Sequence, residues 1–356
     1  MKTNKNVIVL TGVTGQDGSN MVDFLLKETD YHIVGCFRRS SVPNDENVIQ
    51  HADNPRFEKV YFDLTDPTSV NHVVKKYQPA YFINFAAQSF VGASWDIPVA
   101  TWNCTATGVL HILEAIRTES PRTKFYNAGS SEEFGDVEYS PQDEKHPLRP
   151  RSPYGAAKAA ARHIVKVYRE SYNLFAVQGW LFNHEGTRRG EEFVTRKITK
   201  FVALIHKALR EKCTPPPIHL GSLESKRDWG DSEDFIRAVW LMMQQDNPCD
   251  YVVASGETHS IREFVEASFK SAGIPFEATN NDLTTDELSV AYTLKDAPDV
   301  PLVYVNPKYF RPAEVKLLLG DPSRIEKELG WKRNVSFEKL VDKMTEHDIL
   351  ALSNTL

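Results

Sequence analysis

Val7-Ile8-Val9-Leu10-Thr11 runs without a break into Gly12-Val13-Thr14-Gly15-Gln16-Asp17-Gly18, and the junction between these two runs decides the fold. The first run is apolar and rich in β-branched residues, the composition of a buried strand. Beyond the glycines, an amphipathic stretch from about Asn20 to Lys27 has helical spacing. The segment therefore reads strand, tight turn, helix. Glycine suits a turn where φ must be positive or where a bulky phosphate must come close to the backbone. The helix N-terminus behind such a turn offers N–H groups and a partial positive charge to an anion. Three glycines mean little alone, but at a first strand–helix junction they mark Gly12, Thr14, Gly15, Gln16, Asp17 and Gly18 as a cradle for a dinucleotide pyrophosphate.

The same alternation continues outward. Further strands are expected at 32–37, 58–62, 80–85, 123–128 and 174–182, with helical patterns at about 67–77, 99–118 and 155–172 between them. Strands alternating with helices imply an α/β chain with a Rossmann-type, doubly wound parallel sheet, whose ligands lie outside the carboxyl ends of its strands. After residue 182 charged and Pro-containing segments dominate, with helices expected at 195–210, 232–245, 260–272 and 336–350. We read residues 1–182 as a dinucleotide-binding domain to which the chain returns at about 232–258. Residues 183–231 and 259–356 then form a smaller mixed α/β substrate lobe. The 356 residues carry a net charge of −6, which gives no footprint for nucleic acid. No apolar run is long enough to cross a bilayer. Cys36, Cys104, Cys213 and Cys249 are scattered, as expected of reduced thiols in a cytoplasmic protein and not of a disulfide frame or a metal site.

A site for the unphosphorylated dinucleotide usually places Asp or Glu at the end of the second strand, roughly 20 residues past the glycines. Here that strand ends in Arg38-Arg39-Ser40, with no acid in reach, which favours the 2′-phosphate of NADP. Asp63 and Leu64, after the third strand, are positioned to meet the adenine. Ala86, Ala87 and Gln88, after the fourth, are positioned to wall the nicotinamide.

Tyr154-Gly155-Ala156-Ala157-Lys158 opens a helix with Tyr and Lys on one face. A free phenol, with a pKa of about 10, is a poor base at neutral pH, and a neighbouring ammonium favours its ionised form. Upstream, the fifth strand runs into Gly129-Ser130-Ser131-Glu132-Glu133. Ser130 can partner the phenol, as any dehydrogenase or epimerase of this design requires. Glu132 adds a carboxylate able to take a proton from carbon and to assist a departing hydroxide.

Together these residues are similar to the extended short-chain dehydrogenase/reductases. Arg38–Ser41, Phe182-Asn183-His184-Glu185, Arg188-Arg189-Gly190, Phe193–Ile198, Arg227-Asp228-Trp229-Gly230 and Tyr309–Val315 further resemble the GDP-mannose 4,6-dehydratase family over about residues 6–345. The resemblance implies that Tyr154 takes the sugar O4 proton while hydride passes from C4 to NADP. Lys158 lowers the tyrosine pKa and holds the nicotinamide ribose, and Ser130 bonds near O4. Glu132 removes the C5 proton and helps the C6 hydroxyl leave, and the hydride returns to C6. It also implies a GDP-sugar site at Asn183, Val194, Lys197, Arg227, Arg311 and Glu314, and a homodimer or homotetramer. The product would be a precursor of GDP-linked deoxysugars such as GDP-fucose. Three departures stand out. The family's Ser-Thr-Ser-Glu reads Gly129-Ser130-Ser131-Glu132, the following Leu and Tyr are Glu133 and Phe134, and Pro215–Pro217 is a small insertion. Glu133 is expected as an added acid beside the site. A GDP-heptose dehydratase, a nucleotide-sugar 4-epimerase without need of Glu132, and a non-catalytic dinucleotide sensor are the alternatives.

Overall fold

Val7 to Leu10 form the middle of the central strand, and successive side chains bury on opposite faces of the sheet. Ile8 and Leu10 join one apolar cluster, and Val7 and Val9 join another. The computed structural model describes residues 4–279, 287–310 and 317–353. In chain order the first part comprises β1 (Asn4–Thr11), α1 (Gln16–Glu28), β2 (His32–Phe37), β3 (Phe57–Tyr61), α2 (Pro67–Tyr77) and β4 (Pro79–Asn84). It continues with α3 (Pro98–Trp102), α4 (Gly108–Glu119), β5 (Lys124–Ala128), α5 (Pro153–Tyr172) and β6 (Ala176–Leu181). The second part begins with β7 (Asn183–Glu185), α6 (Val194–Arg210), β8 (Ile218–Leu220), β9 (Lys226–Arg227) and β10 (Trp229–Asp231). It then runs through α7 (Ser232–Met243), β11 (Val252–Val253), β12 (His259–Ser260), α8 (Ile261–Ser271) and β13 (Phe276–Ala278). Finally come β14 (Ser289–Leu294), β15 (Ala297–Val305), β16 (Leu317–Leu318), α9 (Ser323–Leu329) and α10 (Phe337–Ser353).

Seven parallel strands form one sheet in the order β11-β6-β5-β4-β1-β2-β3. The order reverses between β1 and β4, so the glycine turn after β1 sits at the switch point where such sheets bind ligands. One face is covered by Met21, Val22 and Leu25 of α1 with Phe235, Val239 and Met242 of α7. The other is covered by Val70, Val73 and Val74 of α2, Ile112 and Ile116 of α4, and Val165 of α5. This is the doubly wound Rossmann-type sheet that the alternation of elements implies.

The helix expected over 99–118 is interrupted. A π-helical turn, Asn103–Thr107, separates α3 from α4. Its Thr105 hydroxyl accepts the Gln88 N–H at 3.3 Å, which ties the irregular turn to the loop after β4. The first helix starts at Gln16, earlier than its amphipathic pattern suggests, because the glycine turn occupies only four residues.

A third cluster gathers the remaining elements. It joins Ile198 and Val202 of α6, Phe264 and Phe269 of α8, Tyr292 of β14, Val303 of β15, and Phe337 and Val341 of α10 around Trp229. Around it lie a four-stranded sheet, β13-β14-β15-β8, and two smaller ones, β12-β9-β16 and β10-β7. The Pro215–Pro217 insertion leads directly into β8. Two seams pin this part to the large sheet. Asp228 accepts the N–H groups of Ser255, Gly256 and Gly320 at 2.7, 3.1 and 3.2 Å. Gln142 exchanges three hydrogen bonds with Leu319 and Asp321.

Candidate active site

Between the sheet's carboxyl end and the third cluster lies a cleft of about 650 Å³, lined by Ser130, Glu132, Tyr154 and Lys158 on one side and by Asn183, Val194, Lys197 and Arg227 on the other. The first four reach it from two adjoining elements. β5 ends at Ala128, and Ser130 caps a short 3-10 turn, its hydroxyl accepting the Glu132 N–H at 3.2 Å. Helix α5 starts beside that turn, with Pro153 in its first turn and the Ser152 hydroxyl accepting the Gly155 N–H at 3.0 Å. A Cβ on Gly155 would stand 2.6 Å from the Glu132 carbonyl, so glycine here lets the two segments meet. Lys158 lies one turn further on, its Nζ donating to the Ala128 carbonyl at 2.7 Å and standing 5.7 Å from the Tyr154 ring centroid.

Burial raises the Tyr154 phenol above its ordinary value; the Ser130 hydroxyl, hydrogen-bonded to it, lowers it, Glu132 and Glu133 add to the rise, and Arg189 opposes them. Burial also pushes the Lys158 ammonium down, to about 8, against the pull of Glu133, Cys104 and Asp17. A lysine that can still be charged near neutral pH thus stands beside a phenol that is neutral until something withdraws its proton.

The glycine turn fits a pyrophosphate. Gly12 has φ +70°, and a Cβ on Gly18 would lie 2.2 Å from the Gly12 carbonyl, so only glycine permits this approach of helix to turn. Gly15 is exposed, and the first N–H groups of α1, which follow it directly, have no partner within the helix. Asp17 lines the cleft and bonds His184 Nε2 at 2.9 Å. Burial alone would raise the Asp17 carboxyl, but His184 and Arg189 bring it down to about 2. The same pairing lifts His184 above its usual value despite its burial. Arg38, Arg39 and Ser40 are exposed at the end of β2. Asp63 accepts from the N–H and hydroxyl of Thr65, whereas the Leu64 side chain is buried and packs against Gly108. Ala87 lines the cleft, while Ala86 donates its N–H to Thr11 and Gln88 donates to the Phe90 carbonyl. Gln88 Oε1 is buried without a hydrogen-bond partner, as a group awaiting a ligand would be.

On the far wall Asn183 Oδ1 is likewise buried and unpartnered. Lys197 donates to the His219 carbonyl at 2.6 Å and lies 3.8 Å from the Tyr309 ring centroid. Arg227 is 9% exposed at the cleft, with Nη1 donating to the Lys226 carbonyl. Arg311 and Glu314 lie outside the described residues. Phe90 packs edge-on against Phe193, whose other contact is the Arg189 guanidinium at 3.6 Å.

Two features were not anticipated. Beneath the site, buried side chains at strand ends bond in series: Thr11 to Asn84 at 2.5 Å, Asn84 to Asn127 at 2.7 Å, and Asn127 to Gln178 at 2.7 Å. These four positions are the last polar residues of β1, β4 and β5 and a mid-strand residue of β6. Their shared level was the available signal. The second is where the added acid Glu133 stands: beside the site, where it raises the Tyr154 phenol, but not on the cleft wall. It is fully buried against Arg162 at 2.5 Å and does not line the cleft, because Ser130 caps the turn with Glu133 folded back beneath it. Phe134, the neighbouring departure, is a core residue stacked on Trp180 at 5.8 Å.

The family model for GDP-mannose 4,6 dehydratase matches residues 9–344. A GDP-mannose 4,6 dehydratase of Drosophila melanogaster is 44% identical over 351 residues, covering 96% of this chain and 86% of the relative. The human GDP-mannose 4,6 dehydratase is 43% identical over 355 residues, covering 97% and 92%. Among solved structures, the dTDP-glucose 4,6-dehydratase DesIV of Streptomyces venezuelae, with NAD and TYD bound, has a TM-score of 0.78 at 19% identity, covering 96% of each chain. A Thermus thermophilus UDP-glucose 4-epimerase in complex with NAD has a TM-score of 0.76 at 25% identity, covering 96% and 98%. With its motifs matched from the glycine turn to the last helix, the chain belongs to the GDP-mannose 4,6-dehydratase family.

Proposed function

We propose that this protein converts GDP-mannose to GDP-4-keto-6-deoxymannose and water, with NADP as a recycled hydride carrier. The carrying observation is that Glu132 lines the same cleft as Ser130, Tyr154 and Lys158. A 4-epimerase needs a hydroxyl, a phenol and an ammonium; only loss of water calls for a carboxylate as well.

Tyr154 receives the O4 proton of the sugar, with Ser130 holding that oxygen. Lys158 favours the phenolate by its charge, and because an ammonium has three donors it can bond a ribose hydroxyl as well as Ala128. A nicotinamide dinucleotide, when bound, accepts hydride from C4 and returns it to C6. The 4-keto group acidifies the C5 proton, which Glu132 takes and passes to the departing C6 hydroxyl, and the proton held by Tyr154 goes back to C5 as hydride adds at C6, which restores the phenolate. Lys197 and Arg227, with Asn183 and Val194, are the proposed diphosphate and nucleoside grip, and Arg311 and Glu314 are proposed with them on sequence alone. Guanidinium and ammonium groups suit a diphosphate.

Arg38 and Arg39, exposed where an NAD site would carry an acid, support NADP over NAD; a titration in which NAD⁺ binds more tightly would reverse that preference. We propose residues 1–182 and about 232–258 as the cofactor domain and the remainder as the substrate lobe, a division supported by the separate third cluster. Exposed apolar side chains on α3 and α5 (Val99, Trp102, Val167 and Tyr172) support a homodimer or homotetramer. The four thiols, all free, support a cytoplasmic setting.

The test is incubation of the purified protein with GDP-mannose and NADP⁺, followed by mass analysis of the nucleotide sugar. Loss of one water without net NADPH accumulation is the expected result. An unchanged mass would move the assignment to GDP-heptoses, and unchanged GDP-heptoses would overturn it.

A further inference from the structure

Two departures from the family pattern, Gly129 and Glu133, meet at one buried ion pair. The Glu133 carboxylate takes the Ser130 N–H at 2.8 Å, Gln178 Nε2 at 3.1 Å and Arg162 Nε at 2.5 Å. Arg162, 5% exposed, donates onward to the carbonyls of Gln178 and Gly179 and lies 3.4 Å from the Trp180 ring centroid. A Cβ on Gly129 would stand 2.1 Å from the Gly179 carbonyl, 2.7 Å from Arg162 Nη2 and 2.8 Å from Glu133 Oε1, so the backbone of β6 excludes the serine usual at this position, and the pair packs into the same space.

Stability is a poor reason for the pair. Both ions lose their hydration, and apolar residues of similar volume often hold a fold as well or better. Its neighbours suggest another reason. Glu133 grips the backbone at Ser130, and the Gln178 amide that bonds Glu133 also donates to the Lys158 carbonyl at 3.2 Å. Gln178 is in turn the last member of the buried series that begins at Thr11 beside the glycine turn. We propose that Glu133 and Arg162 form a positioning unit, in which Glu133 fixes the backbone carrying the Ser130 hydroxyl and sets a negative charge beneath the Lys158 ammonium.

The groups that face Lys158 are Glu133 after β5, Cys104 in the π turn, Asp17 on α1, and Tyr154 and Arg162 on its own helix. Glu133 heads those that keep it charged, and Arg162 opposes. Neutralising Glu133 leaves the opposing cation unanswered.

This inference rests on the roles proposed for Ser130, Tyr154 and Lys158, so Tyr154→Phe is measured in parallel. An active Tyr154→Phe protein overturns those roles; an inactive one leaves the inference to be judged alone. The experiment is steady-state dehydration of GDP-mannose by the NADP-loaded Glu133→Gln protein across neutral and alkaline pH. Expected are a fall in kcat on the order of 10- to 100-fold, a KM within about twofold, and an alkaline limb moved down by about one pH unit. A Glu133→Leu/Arg162→Leu protein, carrying neither ion, is expected to fold with a melting temperature near that of the wild type and still not regain kcat. Wild-type kcat and alkaline limb in Glu133→Gln would overturn the proposal, as would their full recovery in the double variant. If Glu133→Gln does not fold, the double variant decides; if neither folds, the pair is structural and the proposal fails.

Discussion

On the sheet side of the cleft, Ser130, Glu132, Tyr154 and Lys158 all issue from the end of β5, the turn it enters, or the first turns of α5; side-chain caps hold the turn and the helix start, and Lys158 ties the helix to the Ala128 carbonyl. On the lobe side, Asn183, Val194, Lys197 and Arg227 come from β7, α6 and β9, elements brought together around the third cluster. The first wall is one local piece of chain braced from below by a strand-end series of side chains. The second is an assembly of short elements in which Asn183 Oδ1 is buried without a partner while Lys197 and Arg227 are held by main-chain carbonyls. Proton transfer tolerates little displacement, and binding tolerates more. Substitutions on the two walls should accordingly fail in different kinetic constants.

Tyr154→Phe is expected to break the sheet side most severely, lowering kcat about 10⁴-fold with little change in KM. Steady-state rates on a folded variant check this, and retained turnover would remove the phenol as base. Glu132→Gln should lower water loss about 10³-fold while sparing oxidation at C4. A single-turnover experiment that follows cofactor absorbance and product mass together separates the two steps. Retained dehydration would return the epimerase reading.

For the lobe side, Lys197→Met should raise KM on the order of 10- to 100-fold, the worth of a charge-assisted hydrogen bond, and leave kcat within a few-fold. A loss confined to kcat would erase the distinction between the walls. The smallest effect expected is in the pH profile. Lys158, held at about 8 by burial, is charged below that pH and neutral above it, so activity should fall as pH rises through about 8. Lys197 variants should keep that limb. Stability moves the other way: an unfolded lysine stays protonated to about 10.4, so this group's contribution rises between about pH 8 and 10.4. A rate profile flat across that range would show that Lys158 does not titrate in catalysis.

What the sequence disclosed follows the same division. β1, α1 and the strands and helices up to β6 carry periodic patterns, and the glycine turn and the Tyr154–Lys158 spacing are local. The pairing of Asp17 with His184, by contrast, joins residues 167 positions apart. The series from Thr11 through Gln178 joins single polar residues in four strands. No window of sequence contains either. The burial of Glu133 was hidden for a related reason. Beside Glu132 it reads only as an added acid, and its opposite charge, Arg162, lies 29 residues downstream on a helix whose visible signal is Tyr154 and Lys158. The break in the helix over 99–118 also escaped, because a π turn keeps helical composition while shifting its register.

The seams around the cleft bear on how ligands come and go. Asp228 holds three main-chain N–H groups from two distant segments, Gln142 holds the stretch before α9, and the Asp17–His184 bond ties the cofactor turn to β7. Among the described residues, ties at three places resist a rigid-body swing of one wall of the cleft against the other. Exchange of nucleotide sugar and product is then left to motions of individual side chains and loops, which run on nanosecond-to-microsecond scales and not the slower ones of domain closure. Substrate exchange of that kind leaves the tie between the cofactor turn and β7 in place.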